Sequence, residues 1–140
     1  MNQPGARSPA ERAYGVVHTG LVAGVVIFGL LAVLLAQRSA PPLVGLRLPL
    51  RVAGLLELAF LIVAGTLVRR TVVPPARGAD RHAWWMTTGP RVILLWALAE
   101  GTALLGCVFW YLSRDPVLFA ALTGVGLAVL VWSGPGRMTE

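Results

Sequence analysis

Residues 91–132 read RVILLWALAEGTALLGCVFWYLSRDPVLFAALTGVGLAVLVW, two apolar runs joined by Ser113-Arg114-Asp115-Pro116. At ~1.5 Å per residue the first run is long enough to cross ~30 Å of hydrocarbon. Asp115 suits the N-cap of a following helix, and Pro116 its first turn, where a missing N–H costs nothing. So short a connection holds its two helices antiparallel. The stretch therefore predicts a transmembrane hairpin, with spans over 91–112 and 116–132 and an outer turn over 113–115.

Working outward, the apolar run 14–36 exceeds the hydrophobic region of a signal peptide and is expected to remain as an uncleaved span. An outer loop, 37–48, contains the stop Pro41-Pro42. Pro49 suits the first turn of a second helix over 49–68, which ends on Arg69-Arg70. Residues 69–90 predict a basic cytosolic loop, broken by Pro74-Pro75 and Gly78, with Trp84 and Trp85 as an anchor at headgroup depth. Polar tails occupy 1–13 and 133–140. The expected fold is all-α: an integral membrane four-helix protein built as two antiparallel transmembrane hairpins.

Composition agrees with a lipid-embedded chain. Of 140 residues, 56% are hydrophobic and 13% charged, and mean hydropathy is +0.74. A soluble domain of this size needs a polar shell that so few charges cannot build. All 12 basic residues are arginine and the net charge is +6. In a soluble protein this would suggest nucleic acid, but here the arginines fall between apolar runs, where they set topology and meet anionic headgroups. Arg7, Arg12, Arg69, Arg70, Arg77, Arg81, Arg91 and Arg137 lie on one expected side, against Arg38, Arg47, Arg51 and Arg114 on the other. That bias predicts cytoplasmic N and C termini. The expected location of such a chain is the inner (cytoplasmic) membrane of a bacterium.

Polar residues inside the spans are the candidates for function. Glu57 and Glu100 each lie within about one turn of the midpoint of their span. Intramembrane acids are expensive and often functional. At matching depth on neighbouring helices, the two carboxyls are expected to meet and share a proton. Otherwise each glutamate hydrogen-bonds a partner helix and acts as packing glue. His18 is the candidate axial ligand for a pigment, with an interfacial hydrogen bond as its plainer role. Gly20 and Gly24, spaced as Gly-x-x-x-Gly, are candidate helix-contact positions. The lone Cys107 can form no intramolecular disulfide and lacks companions for a metal site. There is no nucleophile–base arrangement or phosphate-cradling loop, so an enzyme is not expected.

The segment LWALAEGTALLG, Leu95 to Gly106, resembles the ion-carrying helix of the rotor-ring proteolipid (c subunit) of F- and V-type ATP synthases. The resemblance extends over 91–112 and implies that Glu100 is an ion-binding carboxylate. The primary expectation from the whole chain is a small non-catalytic transmembrane subunit of a larger bioenergetic membrane complex, contributing assembly or stability. The first alternative is an oligomeric proton- or small-solute-conducting protein using Glu57 and Glu100. The second is a pigment- or quinone-binding subunit. No cofactor is specified by the sequence. The expected partners are the lipid bilayer and other membrane-protein subunits or further copies of this chain, with no nucleic acid.

Overall fold

A computed structural model describes residues 8–38, 42, 44–76 and 78–139. Arg7 and Arg77, counted above toward orientation, lie outside the described residues. The elements are α1 (Pro9–Arg38), a 3-10 turn (Val44–Leu46), α2 (Arg47–Thr71), α3 (Arg81–Ser113), α4 (Pro116–Trp132) and the single turn α5 (Pro135–Met138). Among the described residues there is no strand. Three helices, α1, α2 and α3, are long and apolar enough to cross a membrane. The apolar α4 has 17 residues, about 26 Å of helix.

Several boundaries differ from the expected ones, each for a local reason. Helix α1 starts before residue 14, because Ser8 caps it by accepting from the Glu11 N–H at 3.1 Å, with Pro9 in the first turn. Helix α3 starts at Arg81, where Asp80 accepts from the His82 N–H at 2.8 Å. The expected loop 69–90 thus shrinks to the segment between Thr71 and Arg81, and Trp84, Trp85 and Pro90 become helical. Proline inside a helix normally crowds the side chain before it. Here the preceding residue is Gly89, which has no Cβ, and Pro90 lies on the exposed side of the helix.

The bundle is organised around α3 and α4. They run antiparallel in the closest contact of the fold, and two glycines set the distance. A Cβ on Gly106 would fall 2.8 Å from the Thr123 backbone nitrogen, and one on Gly126 would fall 2.8 Å from that of Ala103. Helix α1 flanks the pair on one side, running parallel to α3, with Gly29 against Cys107 and Tyr14 seated over Gly89. Helix α2 flanks the other side, antiparallel to α3, with Gly65 against Leu95. Helices α1 and α2 are separated by the central pair and do not form a packed hairpin with each other. In α3, 44% of the most apolar stretch is buried within the protein, against 22% in α1 and 17% in α2. That difference identifies α3 as the core helix.

Gly126→Leu is expected to destabilise the bundle by about 1–3 kcal/mol, the usual cost of overpacking. Gly124→Leu, on an open face of the same helix, should be near neutral. The buried thiol of Cys107 provides the readout: heating in detergent with a thiol-reactive dye reports the temperature at which that side chain becomes accessible.

Candidate functional site

Helix phase decides which intramembrane polar groups meet. Glu57 is half-buried on the inner face of α2, with Gly54, Leu61 and Gly65. Its Oε1 accepts from the hydroxyl of Thr102 on α3 at 2.8 Å. The same hydroxyl lies 3.1 Å from the Leu98 carbonyl one turn back, so one proton serves two acceptors. Thr102 is fully buried. Glu57 is thereby tied to α3 through a threonine.

Glu100 is placed elsewhere. It sits two residues from Thr102, a rotation of about 200° around the α3 axis. Its side of α3 also carries Trp96, which contacts His18, and Cys107, which faces Gly29. Among the described residues no hydrogen bond reaches the half-buried Glu100 side chain. The expected meeting of the two carboxyls is therefore corrected: they match in depth but occupy different faces of α3.

His18 has its Nε2 2.8 Å from the Leu130 carbonyl of α4, and its ring lies 4.8 Å from that of Trp96. In the tautomer protonated at Nε2, this contact is a hydrogen bond that ties α1 to α4. A metal-bearing pigment would then have only Nδ1 available. Trp96, fully buried, donates from Nε1 to the Ser133 carbonyl at 2.8 Å. These two bonds fix the C-terminal end of α4 against α1 and α3.

The tryptophan anchor also needs correction. Trp85 is fully buried, stacked on Tyr14 with ring centroids 4.7 Å apart. Trp84 is half-buried and donates to the Val73 carbonyl at 2.8 Å, holding the α2–α3 connection on the helix. Because α3 continues through this region, helical spacing turns Trp85 toward α1 rather than toward headgroups. Gly20 and Gly24, the candidate helix-contact positions, meet no helix of this chain among the described residues. Both are exposed, with nothing within 4 Å of a Cβ placed on either, because α1 buries the face of Val25, Gly29, Ala32 and Ala36 instead.

The end of the bundle opposite the termini is held by arginines. Arg114 closes α3 in a left-handed conformation (φ 53°). Its guanidinium donates to the carbonyls of Tyr111 in α3 and Ala36 in α1. Arg47 donates to the Ser113 carbonyl at 3.2 Å. Arg51 pairs with Asp115 at 2.6 Å, and Asp115 also accepts from the Val117 and Leu118 N–H groups as the N-cap of α4. The Arg51 hydrogen bond is the main influence holding the Asp115 carboxyl below the usual aspartate range. The capping N–H groups act in the same direction, against the effect of burial.

Two grooves open at the end that carries the termini. One, of about 750 Å³, runs beside α1 past Gly15, His18, Thr19 and Gly20 to Gly136. The other, of about 770 Å³, lies between α2 and α4. Among the described residues no group of three or more His, Cys, Asp or Glu is placed to hold a metal ion. Sequence reasoning missed Thr102, since a threonine in an apolar helix commonly bonds only its own preceding turn. Nor does any local pattern point to the Leu130 and Ser133 carbonyls. Comparison with protein-family models, curated proteins and solved structures finds no match.

Asp115→Asn keeps an N-cap but removes the charge facing Arg51. A carboxyl with a lowered native pKa stabilises the fold fully above its unfolded value, about 3.9, and progressively less as pH falls toward the native value. Thermal melting followed by circular dichroism should therefore place the Asp115→Asn variant below wild type at pH 7, with the gap closing below about pH 4. A gap independent of pH would assign the effect to the cap. Thr102→Val removes the hydrogen bond to Glu57 and should lower stability by about 1–2 kcal/mol in the same assay.

Proposed function

We propose that this chain is a non-catalytic transmembrane subunit that contributes assembly or stability to a larger membrane complex, crossing the bilayer four times with both termini cytoplasmic. The four-span reading is supported by α4, whose 17 residues, apolar but for Thr123, stand at the lower limit for a span. The orientation is supported by the eight-to-four arginine bias between the two ends.

One observation carries the functional reading: a small-residue face of α1 lies open. Gly15, Thr19, Gly20 and Ala23 line the groove beside α1, and Gly24 extends the exposed strip by one turn. In lipid, two helices associate through close backbone approach and not through a hydrophobic force. Small residues allow that approach, and among the described residues no helix of this chain uses them. Several polar groups of the interior, by contrast, bond from one helix of this chain to another: His18, Trp96, Thr102 and Thr123. The face fits a transmembrane helix from another subunit.

A second reading, an oligomeric proton or small-solute conductor, is favoured by Glu100, an intramembrane carboxyl without a hydrogen-bond partner among the described residues. It requires a further copy to complete a path.

Purification of tagged protein from its native membrane, with stoichiometry of what accompanies it, tests the first reading. Gly20→Ile with Gly24→Ile should remove the accompanying subunit while leaving the melting temperature of the isolated chain unchanged. A partner retained at full stoichiometry would count against it. Glu100→Gln separates the two readings: proton flux into vesicles should collapse only if the chain conducts, whereas an assembly subunit should co-purify as before.

A further inference from the structure

The groove between α2 and α4 has a shape and a charge distribution that the assembly reading does not use. The two helices run parallel and touch near their N-termini, where Gly54 meets Leu118 and Leu122. Toward their C-termini a cleft of about 770 Å³ opens between them. Leu61 and Gly65 form one wall, Val125 and Val129 the other, and Leu95 of α3 the floor. Apart from Thr66 and Ser133, the lining below the mouth is apolar. At the mouth stand three guanidinium groups, those of Arg69, Arg70 and Arg137, and among the described residues no acid lines the groove.

The three arginines are only partly engaged. Arg69 donates one Nη1 bond to the Val72 carbonyl at 2.9 Å. Arg137 lies over the Trp132 ring, 4.7 Å from its centroid. Arg70 makes no bond among the described residues. All three are exposed. An apolar cleft within hydrocarbon does not hold water, because water there would find no polar partners. Its occupant must be apolar inside and anionic at the mouth. A phosphate suits guanidinium groups, which present several fixed donors without needing to lose a proton. Basic pockets between transmembrane helices at the cytoplasmic face recognise anionic headgroups on the same grounds.

We infer that the α2–α4 groove is a binding site for an anionic membrane phospholipid, with one acyl chain between the helices and the phosphate on Arg69, Arg70 and Arg137. The site lies apart from the α1 groove, so its test is independent of the assembly reading.

The test uses the full chain, delipidated in detergent and offered phosphatidylglycerol or phosphatidylcholine with identical acyl chains, with retained lipid counted by native mass spectrometry. Wild type should keep one phosphatidylglycerol per chain in preference to phosphatidylcholine. Arg70→Gln and Arg137→Gln should each weaken phosphatidylglycerol retention about fivefold and leave phosphatidylcholine unchanged. Combining both with Arg69→Gln should abolish the preference. Arg12→Gln, at the same end but outside this groove, should preserve it. Ala128→Trp fills the cleft from an exposed position and should release both lipids, with an unchanged melting temperature showing that the bundle is intact. Equal retention of the two lipids by wild type, or a preference that survives the triple substitution, overturns the proposal. So does a dimer mass that Ala128→Trp abolishes, since a second copy would then occupy the groove.

Discussion

The backbone contact between α3 and α4 is the constraint on which the remaining architecture depends. Hydrocarbon tails are as apolar as leucine, so helices in a bilayer gain little by burying leucine against each other. What holds them is dispersion at short range, and that requires backbones to approach without intervening side chains. Gly106 provides the clearance on α3 and Gly126 on α4. Once the pair is fixed, α3 has two flanks left, and α1 and α2 occupy one each. This accounts for the separation of α1 from α2 although they are consecutive in the chain.

Polar bonds then set the difference between the two ends. Away from the termini, Arg47, Arg51 and Arg114 reach across to Ser113, Asp115 and Ala36, so cationic side chains satisfy helix C-termini and pair with an N-cap. At the other end α4 is tied to α1 through His18 and to α3 through Trp96. Neither of these ties reaches the C-terminal half of α2. Helices α2 and α4 therefore meet at one end and separate at the other, and the α2–α4 groove is the consequence. Arg69, Arg70 and Arg137 end up at its mouth because Arg69 and Arg70 lie in the last turn of α2 and Arg137 follows the end of α4.

How much of this is legible in the sequence depends on the range of the interaction. Apolar runs are local, and those at 14–36, 49–68 and 91–112 lie inside α1, α2 and α3, while 116–132 coincides with α4. Asp115 and Pro116 are readable as a helix start because capping chemistry sits within a few residues of the boundary. The start at Arg81 is obscured by Pro90, whose helix-breaking tendency is relieved by the glycine before it. Trp85 is misread for the same reason: with a helix break at 90 it belongs to a loop, and without one it belongs to the face that Tyr14 covers. The Glu57–Thr102 bond and the close approaches at Gly106 and Gly126 join residues far apart in the chain, and nothing local marks such pairs.

The two glutamates show why matching depth is too weak a criterion for contact in a membrane. Depth is a coordinate along the helix, whereas contact also needs the right phase around it. On α3 the stripe facing α2 runs through Leu95 and Thr102, one heptad apart. A carboxyl at 98, one turn from Thr102, would lie on that stripe. At position 100 it falls with Trp96 and Cys107 on the flank that α1 covers. Glu57 is thus bound into the α2–α3 interface, and the body of α3 stands between it and Glu100. Proton exchange between them inside one chain would have to pass around that helix. The Glu100 carboxyl is therefore reached from the α1 side, and the outward face of the same α1 helix carries the exposed small residues Thr19, Gly20, Ala23 and Gly24.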